Sequence, residues 1–242
     1  MIQIKHEIVG SFAKRTPTKP KPQPTMSKLY TAEVAKDPSK MESRTKIANS
    51  INSDSCPKVI HYLGGQSRET PFENHFDKTR NTFFRYERDE TDIPKHYIQA
   101  EWFGEKLWPR MKQHFGYFIN SDFFEAYFDI RPLAKKLKNY FWLDFCGMPT
   151  EELLDCIYYS FLDKENDSPE VQDIYLTFYL NGRGIKFVSN LLNRYGKSIQ
   201  DRAQSLCDSI KEKFDNENFS YSVFDAYQNG ISPMGVIKIS RK

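Results

Sequence analysis

Four short apolar runs in this chain each stop at a glycine or lead to a carboxylate. Val59–Leu63 runs into Gly64-Gly65, and Thr82–Tyr86 stops at Glu87. Tyr117–Ile119 leads through Asn120 and Ser121 to Asp122, and Tyr140–Leu143 stops at Asp144. In open α/β sheets, ligands bind beyond the carboxyl ends of the strands, where the strand order reverses. Four such ends in succession therefore mark out a ligand site. Paired glycines let a backbone approach a ligand closely. A carboxylate closing the second strand can accept from both hydroxyls of a ribose, which is the reason nucleotide-binding sheets favour one there. Other chemistries find little support. The five histidines lack HxxxH or HxH spacing, which argues against a metal. There is neither a P-loop nor a GxSxG elbow.

The elements that must position these ends follow from periodicity and caps. Asp37 caps a helix with Pro38 in its first turn, and Met41, Ile47, Ala48 and Ile51 form a partial apolar face. After the first strand, Thr70-Pro71-Phe72-Glu73 has the spacing of a capping box, so Gly64–Glu69 is a tight strand-to-helix loop. The stretch from Asp92 to Gly116 holds Pro94, Gly104 and Pro109, which limits it to short helices. Arg131–Lys138 reads as a basic connector. A helix over 151–162 presents Leu153, Leu154, Ile157, Tyr158 and Phe161 on one face. Ile174–Leu180 reads as a central parallel strand. Phe187–Tyr195 and Ser198–Phe214 read as amphipathic helices. Tyr221–Tyr227 and Met234–Ser240 read as a β-hairpin with a long loop.

With 242 residues and 39% hydrophobic content, the chain can bury one sizeable core. No apolar run reaches the length of a membrane span, so no membrane partner is expected. Cys56, Cys146, Cys156 and Cys207 form no CxxC or zinc pattern, which fits a reduced, cytoplasmic protein. Frequent Lys, Asn, Phe and Tyr match the usage of an A/T-rich genome such as that of a virus or phage. Residues 1–25 carry five cations against Glu7, a charge of +4 in a chain of net +3. With Pro17, Pro20, Pro22 and Pro24 among them, residues 1–26 read as a flexible basic arm before a domain over 27–242. Nucleic acid is the partner this arm suggests, since the body is not generally basic.

Alternating βα units closed by an antiparallel hairpin resemble the class I S-adenosylmethionine-dependent methyltransferases, from about Ser39 to Arg241. The resemblance implies a three-layer Rossmann-like α/β fold with a mostly parallel seven-stranded sheet in the order 3-2-1-4-5-7-6, the last strand antiparallel. It implies S-adenosylmethionine as cofactor. Gly64 and Gly65 then approach it, Glu69 attracts its ammonium or sulfonium charge, Glu87 holds the ribose and Asp122 accepts from the adenine amino group. Asp144 occupies the place where the family positions groups facing the methyl acceptor.

Departures from the family also have consequences. The first loop reads Leu63-Gly64-Gly65-Gln66-Ser67-Arg68-Glu69, not G-x-G, and Asp144-Phe145-Cys146-Gly147 lacks the Pro-Pro-aromatic of amino-group methyltransferases. Phe145 stands where cytosine methyltransferases place a proline before a nucleophilic cysteine, so Cys146 is expected to be inert. Phe123, Phe124, Tyr127 and Phe128 read as core rather than as a platform for a flipped base. Two functions are thus expected to compete: a methyltransferase acting on nucleic acid, and an inactive methyltransferase-like module binding nucleic acid or a protein partner. A nicotinamide enzyme fits the terminal hairpin poorly.

Overall fold

The computed structural model describes residues 37–63, 72–87, 98–100, 116–120, 137–145, 149–163, 171–180 and 198–242. Helix α1 (Pro38–Asn52) starts where its cap predicts, with the Asp37 carboxylate accepting the Ser39 backbone N–H at 2.9 Å. Its buried stripe is Lys40, Ser43, Arg44, Ile47, Ala48 and Ile51. The apolar count found the lower half of this stripe and missed the two cations above it.

Eight strands follow: β1 (Lys58–Leu63), β2 (Thr82–Glu87), β3 (Ile98–Ala100), β4 (Gly116–Asn120), β5 (Lys138–Asp144), β6 (Val171–Tyr179), β7 (Phe219–Asn229) and β8 (Ser232–Arg241). They form one sheet in the order β3-β4-β2-β1-β5-β6-β8-β7. Pairing is parallel from β3 across to β6, and β8 runs antiparallel to both β6 and β7. Among the described residues the sheet thus has eight strands where seven were expected. The extra one, β3, edges β4 inside the stretch assigned only short helices, and three residues are too few for periodicity to reveal a strand.

Strand alternation divides the core in two. Val59, Phe84, Phe141, Leu143, Ile174 and Leu176 pack with α2 (Glu151–Ile157) and α3 (Ile199–Phe214). Ile60, Tyr62, Phe83, Tyr140, Trp142 and Tyr175 pack with α1 on the opposite face. Among the described residues, helices therefore cover both faces. At the amino ends of the strands, Asp54 accepts from the Tyr140 hydroxyl at 2.7 Å and pairs with Lys138 at 3.1 Å. These contacts hold its carboxyl well below the usual range.

Other boundaries move for physical reasons. The helix expected after Thr70 is a single 3-10 turn, Phe72–His75, whose Glu73 is buried and accepts from the Tyr62 hydroxyl. The helix over 151–162 is α-helical to Ile157 and closes in a π turn, Tyr158–Leu162. The hairpin loop is short: β7 and β8 flank only Gly230 and Ile231, and Gly230 has φ +56°, the sign a type II′ turn requires. The helix over 187–195 lies outside the described residues, as does the arm.

Candidate active site

Asp144 closes β5 on the α1 face, the face shared by Tyr140 and Trp142 in the same alternation. The first turn of α1 brings Lys40 to it, with Nζ 2.8 Å from the Asp144 carboxylate. The two side chains are 4% and 6% exposed, so the pair is almost dry. One layer below, the Trp142 indole N–H donates to Thr177 Oγ1 at 3.1 Å. The Phe72 ring lies 4.6 Å from Trp142, and the Arg44 guanidinium lies 5.6 Å from the centre of its ring. Lys40 and Arg44, one helical turn apart, thus line the carboxyl half of the sheet.

A polar clasp fixes the start of α1. The Asp37 carboxylate also accepts the Gly230 backbone N–H at 3.1 Å, tying the helix to the tip of the β7–β8 hairpin. The Ser39 hydroxyl lies between the Asp37 carboxylate and the Gln228 carbonyl, with one proton to give to either. Hydrogen bonds from Ser39 and Gly230 hold the Asp37 carboxyl below its ordinary range. Since β7 parallels β6, this tip lies at the carboxyl end of the sheet, the same end as Asp144.

Sheet register shows which predicted residues converge. Leu63 pairs with Tyr86, so Glu87 is the next residue at the end of β2, opposite Asn120 of β4. Tyr62 pairs with Trp142, so β1 and β5 end side by side, with Asp144 at the tip. Gly64, Gly65, Glu69, Asp122 and Cys146 lie outside the described residues, as do Phe123, Phe124, Tyr127 and Phe128. Lys40 is the site residue that sequence reasoning missed. Its signal was present: Lys40 and Arg44 share the helical stripe of Ile47, Ala48 and Ile51. Counting only apolar letters discards a buried cation.

Among the described residues, no group of three or more His, Cys, Asp or Glu side chains could hold a metal. No described helix is long and apolar enough to cross a membrane. Cys56 is exposed and Cys207 buried, and burial pushes the Cys207 thiol up to about 11.

No model of a known protein family matches the chain, and no curated protein does. Solved structures do resemble it. One is an S-adenosylmethionine-dependent methyltransferase from Agrobacterium tumefaciens, at 11% identity and a TM-score of 0.47 over 85% of this chain. The match spans 63% of that protein's length. Another is the precorrin-6y C5,15-methyltransferase of Geobacter metallireducens, at 12% identity and a TM-score of 0.42, covering 86% of this chain and 91% of that one. A third is the magnesium protoporphyrin IX methyltransferase of Synechocystis with bound S-adenosylhomocysteine, at 12% identity and a TM-score of 0.40, covering 83% and 84%. These likenesses are of general architecture. The strand order itself, parallel through β6 and closed by the antiparallel β8 between β6 and β7, is that of a class I methyltransferase-like fold, here in a divergent chain.

Proposed function

We propose that the chain is an S-adenosylmethionine-dependent methyltransferase acting on nucleic acid. The supporting observation is the side-by-side ending of β2, β1 and β5, with Glu87 and Asp144 closing two of the three. Carboxylates at those places suit a ribose on one side and an acceptor group on the other. Glu87 is assigned the ribose hydroxyls and Asp122 the adenine amino group. Gly64 and Gly65 are assigned the close approach of the first loop to the cofactor, and Glu69 its cationic end. When bound, the cofactor supplies an electrophilic methyl group. Asp144 orients the acceptor by accepting its hydrogen bond, and Lys40 holds the carboxylate in place.

The pairing of Asp144 with Lys40 also favours a second reading, an inactive module that binds nucleic acid or a protein partner. A carboxylate 6% exposed and already ion-paired has less to offer a substrate. Transfer of labelled methyl groups to mixed DNA, RNA and protein acceptors separates the two. On the proposed reading the wild type transfers, Asp144→Ala abolishes transfer while cofactor affinity stays within a few-fold, and Cys146→Ser is nearly silent. Absence of transfer to every acceptor favours the module.

A further inference from the structure

Strand β7 ends the sheet, so one of its edges is bonded to β8 and the other meets no strand among the described residues. It is 11 residues long and reads Phe-Ser-Tyr-Ser-Val-Phe-Asp-Ala-Tyr-Gln-Asn. Outer strands are ordinarily blunted by lysine, proline, shortness or a bulge, and of these β7 has only the bulge. Its one charge, Asp225, lies 3.2 Å from Lys46 of α1. Tyr221, Val223, Phe224, Ala226 and Tyr227 are each half-buried, so the strand is apolar on both faces.

The bulge decides what this edge fits. Val223 pairs with Ile237 and Asp225 with the adjacent Val236, which leaves Phe224 as the extra residue. Before it, Phe219, Tyr221 and Val223 pack on the α3 side. After it, Ala226 packs there, while Phe224, Asp225 and Tyr227 lie on the α1 side. The alternation therefore changes phase between Phe224 and Asp225. Opposed residues of antiparallel strands share a face, so a regular strand laid on this edge matches one half of β7 and is out of phase with the other. A second β7 carries the same change of phase. Run antiparallel about a twofold axis between Phe224 and Asp225, it matches throughout: Val223 lies opposite Ala226, Ser222 opposite Tyr227, and Phe224 opposite Asp225. A slip by one residue sets Val223 against Phe224, which face opposite ways. Charge agrees with the centred register. Each Asp225 meets Phe224 of the second copy and not its own image, and a Lys46 stands beside each, so the signs alternate around the axis.

We infer that two copies of this chain join along β7, pairing antiparallel over Ser222–Tyr227 about a twofold axis. Just beyond that stretch the Gln228 carbonyl lies against the Ser39 hydroxyl, which bounds the ladder. The junction runs two eight-stranded sheets into one and points their carboxyl ends in opposite directions. It also fixes the hairpin whose tip, at Gly230, holds Asp37 and the first turn of α1. Neither cofactor nor acceptor takes part, so the inference stands or falls apart from the methyltransferase reading.

Sedimentation of the full chain tests it. A single strand edge is a contact at the small end of stable interfaces, about 1,200 Å², so the mass should pass from one chain to two between about 1 and about 100 µM. Changing Ser220→Lys and Ser222→Lys together charges two exposed positions of the edge. The double variant should dimerise roughly tenfold more weakly or worse, with its melting temperature at about 1 µM unchanged. Register is read by disulfide trapping. Ser222→Cys mixed with Tyr227→Cys should link between copies, seen by mass spectrometry of the joined peptides, and Ser222→Cys mixed with Ser220→Cys should not. A dimer untouched by the two lysines, or one that links equally in both mixtures, would place the junction elsewhere and overturn the inference. So would a full chain that stays single throughout. If that chain then dimerised once residues 1–36 were removed, the edge would belong to its own segment, and if it stayed single, to a different protein.

Discussion

Lys40 and Asp144 sit 2.8 Å apart with almost no water around them, so each makes the other tolerable inside the fold. Removing one partner of such a pair strands a buried charge, which costs about 3–5 kcal/mol. Lys40→Met should lower urea stability by roughly that amount, and adding Asp144→Leu should restore much of it. A neutral Lys40→Met would show that water reaches the pair. His61 makes the opposite arrangement, a titratable ring kept neutral. It stacks between Phe84 at 5.0 Å and Phe141 at 4.4 Å, with Nε2 3.0 Å from Asn139 Oδ1. Burial pushes it down to about 3. Unfolded, the imidazole titrates near its ordinary ~6.5, so below that pH the unfolded chain takes up a proton that the folded chain refuses. The stability contribution is complete above pH ~6.5 and is lost towards pH ~3, by up to about 1.4 kcal/mol per pH unit. His61→Phe should flatten the urea midpoint between about pH 7 and 4. An unchanged pH slope in that variant would place the acid sensitivity elsewhere.

Helix α1 and the closing hairpin are the elements on which the site's geometry turns, because the first supplies Lys40 and the second holds its first turn. Gly230 carries φ +56°, and a side chain there meets nothing within 4 Å, so the cost of Gly230→Ala is conformational. It should destabilise by about 1–2 kcal/mol, read by thermal melting, and Gly230→Asn should cost less. Ser198, which caps α3 in a reciprocal box with Asp201, should cost about 1 kcal/mol when changed to Ala. These caps were legible in the sequence because a side chain declares them. The hairpin loop was not, since the apolar runs stop at Tyr227 and resume at Met234. The ladder nevertheless continues through Gln228–Pro233 and Asn229–Ser232. Backbone groups pair whether or not the side chain is apolar. The same limit hid the polar start of β5 at Lys138-Asn139 and, in β6, the polar pair Gln172-Asp173 that separates Val171 from the apolar run. Lys40 was hidden for a related reason, since its burial depends on an aspartate 104 positions away.

Across the whole molecule, the succession of strands other than β3 was legible because each of them is built on a short apolar run. The lateral order was not, since a residue pattern does not say which strand lies beside which. Placing β8 between β6 and β7 came from the family likeness, and the register bears it out. That order leaves β1 and β5 adjacent at the centre of the sheet, where a nucleotide-like ligand has its crevice. Asp54, held below the usual carboxylate range by Tyr140 and Lys138, fastens the opposite end. Its contribution is present above about pH 4 and lost as pH falls further, so Asp54→Asn should blunt unfolding in acid. The proposed activity depends on whether the carboxyl end holds the cofactor, and calorimetric titration with S-adenosylmethionine reads that directly. Micromolar binding is expected, weakened by about 1.5–3 kcal/mol in Glu87→Ala, the range for hydrogen bonds to a charged group. No heat of binding by the folded wild-type chain, or equal affinity in Glu87→Ala, would contradict the proposed site.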